Sequence, residues 1–133
     1  MIQIPIKSIS RNPAINTVIN PARNWQINPA RNWQVDPIQN SQIDPFRSLN
    51  IPGYYINSVQ DLTCNYFTVK TGVKNVFLIF DAQKVFSYFS VENAGCHSLF
   101  STSNFEYIGF LCPNNAGKYN WFDLNGNWLY FFT

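Results

Sequence analysis

The hydrophobic positions of this chain follow two patterns, and the change between them falls after residue 52. Beyond that point, apolar and aromatic residues come in short runs that polar or glycine-containing stretches separate. Such runs between turn residues are typical of β-strands. Before that point, isolated apolar residues recur between prolines, which forbid any long helix. The pattern predicts a domain at residues 53–133, preceded by an arm at residues 1–52.

The domain can be divided into four copies of one β-hairpin. Each copy has an apolar run, a polar turn and a second apolar run, and the clearest copy places Asn125 and Gly126 at the turn. Asn-Gly is a strong hairpin signal because both residues tolerate positive φ. A repeat of this kind indicates one supersecondary unit used four times. Four phenylalanines hold the same place in the copies, separated by 22, 21 and 21 residues: Phe67, Phe89, Phe110 and Phe131.

Four successive hairpins form an antiparallel sheet with two free edges, and closing the sheet removes both edges. We therefore predict an all-β fold, in which four repeated hairpins form a shallow barrel with pseudo-fourfold symmetry. Within several strands the apolar residues are consecutive, as in residues 76–80, so both faces of the sheet have to be covered. The barrel interior covers one face. The arm, another subunit or an apolar ligand would have to cover the other.

Prolines punctuate the arm at every eighth residue, from position 5 to position 45, and octads 19–26 and 27–34 are identical. Proline fixes φ and the preceding Asn or Asp can accept a backbone hydrogen bond, so each octad is predicted to contain one turn. Short extended pieces are predicted between the turns. Two geometries stay open, an extended arm and a compact spiral. In the spiral, one row of residues would stack: Ile19, Ile27, Val35, Ile43 and Ile51.

The octads and the aromatic repeats together resemble one bacterial family. Octads of the type Ile-Asn-Pro-x-Arg-Asn-Trp, followed by repeats such as residues 106–111 and 120–128, look like bacterial proteins with the four-fold β-flower domain. The resemblance covers nearly the whole chain, and the octapeptide repeats are its more specific half. It implies a shallow, radially repeated β-barrel, similar to the Tubby C-terminal barrel without its central helix. It brings no activity, catalytic residue or cofactor with it.

Composition and charge narrow the possible functions. Charged residues make up 12% of the chain, and the five basic against two acidic residues of the arm are too weak an excess to predict nucleic-acid binding. No apolar stretch is long enough for a transmembrane helix. Prolines and polar residues from Pro5 onward interrupt the apolar run that a signal peptide requires, so no signal peptide is recognisable. We therefore expect a cytoplasmic protein, with export by a signal-independent route left open.

Few residues carry candidate chemistry. His97 follows Cys96 directly, and neighbours in a strand point to opposite faces, so these two are not predicted to act as a pair. Asp81 and Asp123 hold equivalent turn positions, and turn chemistry explains both. With no phosphate, metal or nucleophile motif in the sequence, we predict neither an enzyme nor a cofactor. Three cysteines lack the spacing of a metal site or disulfide framework and are predicted to be buried free thiols: Cys64, Cys96 and Cys112.

The candidate binding residues are aromatic and basic. Trp25 and Trp33 each follow an arginine by two residues. They could form a ladder that stacks on a partner, or pack on the barrel while the arginines cover them. The predicted binding residues are Arg23, Trp25, Arg31, Trp33, Tyr107, Trp121 and Trp128. We expect a non-catalytic structural or interaction module that binds copies of itself or another protein. The alternative is an apolar-ligand or lipid-binding module that uses the aromatic barrel mouth.

Overall fold

The computed structural model describes residues 12–48 and 52–133. Eight antiparallel strands form a closed barrel in chain order, so the predicted all-β barrel is confirmed. Strand β8 pairs with β1 through Ile56 opposite Phe132 and Asn57 opposite Phe131, which leaves no free edge in the barrel. The strands are β1 Pro52–Ser58, β2 Cys64–Lys70, β3 Val76–Asp81, β4 Phe86–Asn93, β5 Cys96–Ser101, β6 Tyr107–Pro113, β7 Tyr119–Asp123 and β8 Trp128–Phe132.

The four hairpin turns share two features. A register shift lies beside the turn in each of the pairs β1–β2, β3–β4, β5–β6 and β7–β8. Each turn also contains one residue with positive φ. These residues are Leu62, Lys84, Phe105 and Gly126.

In the β3–β4 turn, Asp81 Oδ1 accepts hydrogen bonds from the N–H groups of Gln83 and Val85. Asp123 does the same in the β7–β8 turn, so both carboxylates have the turn role expected from the sequence.

Aromatic side chains fill the barrel interior near these turns. Tyr66, Tyr88 and Tyr130 point inward from β2, β4 and β8, and all three pack against the buried indole of Trp121. The ring centroids of the tyrosines lie 5.5, 5.2 and 4.7 Å from that of Trp121. The interior at this end is therefore a packed aromatic core.

Gly109 on β6 holds the position that the inner tyrosines hold on the other even-numbered strands. It pairs with Leu99 just inside the register shift, as Tyr88 pairs with Ile79. A Cβ atom on Gly109 would collide with the backbone oxygen of Phe122 and would lie 3.4 Å from Nε1 of Trp121. The absence of a side chain on Gly109 therefore leaves the space that the indole occupies.

Residues 12–48 form a coil in which turns alternate with single-turn 3-10 helices. An asparagine precedes each helix, and its Oδ1 accepts the N–H of the second helical residue, as Asn24 does from Gln26 at 3.2 Å. The prediction of extended pieces between the turns was wrong, because this cap stabilises a helical turn. The helices are Thr17–Ile19, Trp25–Ile27, Trp33–Val35 and Ser41–Ile43.

Asparagine side chains also tie octads 19–26 and 27–34 to the octads before them. Asn28 Nδ2 donates to the carbonyl of Pro21 at 3.0 Å, and Asn28 Oδ1 accepts from the N–H of Ala30 at 2.8 Å. Asn32 Nδ2 donates to the carbonyl of Gln26 at 2.7 Å. Because these bonds connect successive octads, residues 12–48 adopt the compact geometry and not the extended one.

The inner row of this coil packs on the outer face of the barrel. Ile19, Ile27, Val35 and Ile43 are buried in one hydrophobic cluster. The barrel contributes outward residues of β2 to β5 to the cluster: Val69, Val76, Leu78, Phe80, Phe89, Val91 and Phe100. The arm therefore covers the second apolar face of β3 and its neighbours. Ile51 and the octad of residues 3–10 lie outside the described residues.

Candidate functional site

The arm presents its tryptophans to solvent. Trp25 and Trp33 each begin a 3-10 helix and are 53% and 56% exposed, while the third residue of each helix is buried against the barrel. Arg23 and Arg31 are exposed as well. Packing of these indoles on the barrel, one of the two sequence-based alternatives, is therefore wrong. The structure leaves two equivalent exposed indoles, each two residues after an exposed arginine, and these four residues are here called the arm surface: Arg23, Trp25, Arg31 and Trp33.

The predicted binding residues of the barrel do not come together. Trp121 is buried inside the barrel and packs on tyrosines. Tyr107 is half-buried on the outer side, where its ring centroid lies 5.9 Å from that of Phe100 beside the arm. Trp128 is 49% exposed at the start of β8. Of these three, only Trp128 offers a large accessible ring.

The outer side of β8 and β1 carries aromatic rings that residues 12–48 of the arm do not cover. Tyr55 is 51% exposed and lies opposite Thr133. Phe131 is half-buried opposite Asn57, and it lines one groove together with Trp128. We call Tyr55, Trp128 and Phe131 the uncovered face. Neither Tyr55 nor Phe131 was among the predicted binding residues, although both stand in consecutive aromatic runs, a signal that one ring of each run faces outward.

A groove lies beside the uncovered face, between β8 and the loop that joins β6 to β7. Its volume is about 510 Å³. Trp128 and Phe131 form its apolar wall, and Asn120 and Lys118 bring polar groups to the other side. A volume of this size is in the range of small-molecule sites.

The end of the barrel opposite the hairpin turns contains a ring of four inward aromatic side chains. Tyr54, Phe77, His97 and Tyr119 come from β1, β3, β5 and β7. Consecutive ring centroids around the circle are 6.3, 5.0, 4.8 and 6.1 Å apart. His97 is thus held between Phe77 and Tyr119, and it is fully buried.

The environment of His97 keeps its imidazole neutral. Its Nδ1 lies 3.0 Å from Ser90 Oγ, and its Nε2 is buried with no hydrogen-bond partner among the described residues. Burial lowers the pKa of His97 to about 4. The pKa of the neighbouring Tyr119 is raised by burial and, to a smaller extent, by Glu92. A serine and a histidine in contact can form a nucleophile and base, but Ser90 and His97 are both buried, so packing explains the pair.

Replacing His97 with phenylalanine is expected to remove part of the acid sensitivity of the fold. Below pH about 6.5 the unfolded chain protonates His97 and the folded chain does not, so the free energy of unfolding falls as the pH falls towards 4. Between pH 7 and pH 5 this loss should be about 2 kcal/mol larger in the parent protein than in His97→Phe. Urea unfolding at several pH values measures it.

The control for this experiment is Ser90→Ala, which removes the hydrogen-bonding partner of His97 and no titrating group. It should keep the pH dependence of the parent protein. Identical pH dependence in the parent and in His97→Phe would show that His97 is not neutral in the folded protein.

The cysteines differ in exposure and position. Cys64 is exposed at the start of β2, so the prediction that it is buried was wrong. Cys96 is half-buried and Cys112 is buried, and they pack in a small outer cluster with Phe110 and Phe122. His97 faces the opposite side of the sheet, as expected of a neighbour in a strand.

Over residues 12–48 and 52–133, no helix is long and apolar enough to cross a membrane, and no group of three His, Cys, Asp or Glu side chains could hold a metal ion. No protein-family model, curated protein or solved structure matches the chain. The interpretation of the site therefore depends on its own geometry.

Proposed function

We propose that the protein is a non-catalytic interaction module that assembles with copies of itself. In this proposal residues 53–133 are a four-petalled β-flower, and the octapeptide-repeat arm covers one part of its outer surface. The uncovered face then receives a second copy of the chain. A four-fold repeat is supported by the positive-φ residues of the hairpin turns, since one lies five positions before each of the four equivalent phenylalanines.

The uneven burial of these phenylalanines carries the proposal. Phe89 and Phe110 are completely buried on the outer side of the sheet, and Phe67 is half-buried but packs against the cluster that contains the arm. Phe131 holds the same position in the repeat but stays half-buried, next to two rings that are about half exposed. Exposed aromatic patches of this kind are typical of interaction surfaces.

The arm surface is the proposed counterpart of the uncovered face. The identical octads at 19–26 and 27–34 present Trp25 and Trp33 in the same way. Tryptophan and arginine are the residues most enriched at the centres of protein interfaces. A contact between the arm surface of one copy and the uncovered face of the next joins two different patches, so it builds a ring or an open chain of subunits.

Size-exclusion chromatography with light scattering tests the assembly. The parent protein is expected to exceed the mass of one chain. Two double variants, Trp25→Ser with Trp33→Ser and Tyr55→Ser with Trp128→Ser, should each be monomeric, because each loses one side of the contact. An equimolar mixture of the two variants should form a dimer, since each variant keeps the side that the other lacks.

The matched control is Ile38→Ser, which removes an 82% exposed apolar side chain that belongs to neither surface. It should assemble like the parent protein. A monomeric parent protein, or a mixture of the double variants that stays monomeric, would contradict the proposal.

The groove of about 510 Å³ favours apolar-ligand binding as the second candidate function. A monomer that retains a small apolar molecule in native mass spectra would support that alternative.

A further inference from the structure

Cys96 and Cys112 lie side by side on neighbouring strands. Cys96 is the first residue of β5, Cys112 lies near the end of β6, and the adjacent residue pair in the ladder is His97 with Leu111. Cys96 and Cys112 therefore face each other across the ladder. Their Sγ atoms are 3.7 Å apart, and no disulfide bond joins them.

The spacing of the two strands suits a disulfide bond. Opposed residues of an antiparallel pair have Cα atoms about 4.5 or 5.5 Å apart, and disulfides form across Cα distances of about 4.4–6.8 Å. An S–S bond is about 2.05 Å long, so small side-chain rotations bring the sulfurs together without moving the ladder. Cys96 is half-buried and Cys112 is buried, so a dissolved oxidant reaches Cys96 first.

We propose that Cys96 and Cys112 form a reversible disulfide when a low-molecular-weight disulfide acts as the oxidant. The Cys96 thiolate attacks one sulfur of the oxidant and breaks its S–S bond, which gives a mixed disulfide on Cys96 and one small thiol. The Cys112 thiolate then attacks the Cys96 sulfur and releases the second small thiol. The two protein thiols lose two electrons and two protons in total, and the oxidant takes up both.

The bond would join β5 to β6 at the end of the strands away from their hairpin turn. It would close a loop through residues 97–111 and restrict the unfolded chain, so the oxidised protein should melt at a higher temperature than the reduced one. Cys64, exposed at the start of β2, serves as an internal control because it lies on a different strand pair.

The experiment treats the reduced full chain with oxidised glutathione, alkylates the remaining thiols in denaturant, and maps the peptides by mass spectrometry. The expected product links Cys96 to Cys112 and leaves Cys64 alkylated or glutathionylated. Cys112→Ser should accumulate a glutathione adduct on Cys96. Cys64→Ser should still form the Cys96–Cys112 bond, and dithiothreitol should restore both thiols.

The parent protein alone keeps the proposal testable if a variant does not fold. An alkylatable Cys112 in molecules whose Cys96 is fully oxidised would overturn it. A bond from Cys64 to either of the other cysteines would also overturn it, as would an equal glutathione adduct on Cys96 in the parent protein and in Cys112→Ser.

Discussion

Replacing Gly109 with alanine is expected to lower the free energy of unfolding by about 2–4 kcal/mol. The added Cβ would collide with the backbone oxygen of Phe122 on β7 and crowd Nε1 of Trp121. A carbonyl in a β-ladder cannot move away as the end of a flexible side chain can. The neighbouring strands would have to separate, or the indole would have to leave its place among the tyrosines. Urea unfolding followed by far-UV circular dichroism measures the loss.

Gly72→Ala is the matched control. A Cβ atom on Gly72 meets no atom within 4 Å, so the same chemical change should alter the free energy of unfolding by no more than about 0.5 kcal/mol. Equal effects of the two substitutions would show that the close approach of β6 and β7 is not what requires glycine at position 109.

The second large effect is expected at the contact between arm and barrel. Ile27 is 1% exposed and packs in the cluster that joins the arm to β2–β5. Ile27→Ala should lower the free energy of unfolding by about 2–4 kcal/mol, because it removes buried methyl groups and leaves a cavity. Ile38→Ala makes the same change at a position that is 82% exposed, and its effect should stay within about 0.5 kcal/mol.

Hydrogen exchange shows whether arm and barrel unfold as one unit. If they do, Ile27→Ala should increase exchange in β3 and β4 as well as in the arm, since outward residues of both strands pack in the shared cluster. Faster exchange confined to residues 12–48 would mean that the arm unfolds separately from the barrel.

The hairpins could be predicted because they depend on local chemistry, whereas the row of stacked residues belonged to one of two geometries that the sequence left open. Turn residues such as Asn125 and Gly126 mark a hairpin wherever it packs. The eight-residue period brought Ile19, Ile27, Val35 and Ile43 into the buried row that a compact spiral requires. The 3-10 helices were missed because the asparagines that precede them, such as Asn24, were not recognised as helix caps. In the helices Trp25–Ile27 and Trp33–Val35 the first residue faces solvent and the third is buried against the barrel. The Asn24 cap makes Trp25 the first residue of its helix, and Trp25 is therefore exposed.

The candidate site was harder to predict because it depends on contacts between distant positions. Trp121 and Trp128 stand in the same hairpin, and sequence alone treats them alike. Trp121 is buried because Gly109, on a neighbouring strand, leaves room for its indole. The contact between Cys96 and Cys112 likewise depends on the register of β5 against β6. No spacing rule for cysteines within one segment anticipates that contact.

The pairing of β8 with β1 has a consequence for how the chain reaches its native state. Hydrogen bonds at this junction join Thr133 to Tyr55, residues 78 positions apart in the sequence. Every other neighbouring pair in the barrel joins strands that follow one another directly. Strand β8 must therefore emerge from the ribosome before the barrel can close. Until then the nascent sheet has two unpaired edge strands, and pairing β1 with β8 is the slowest conformational search that this topology imposes.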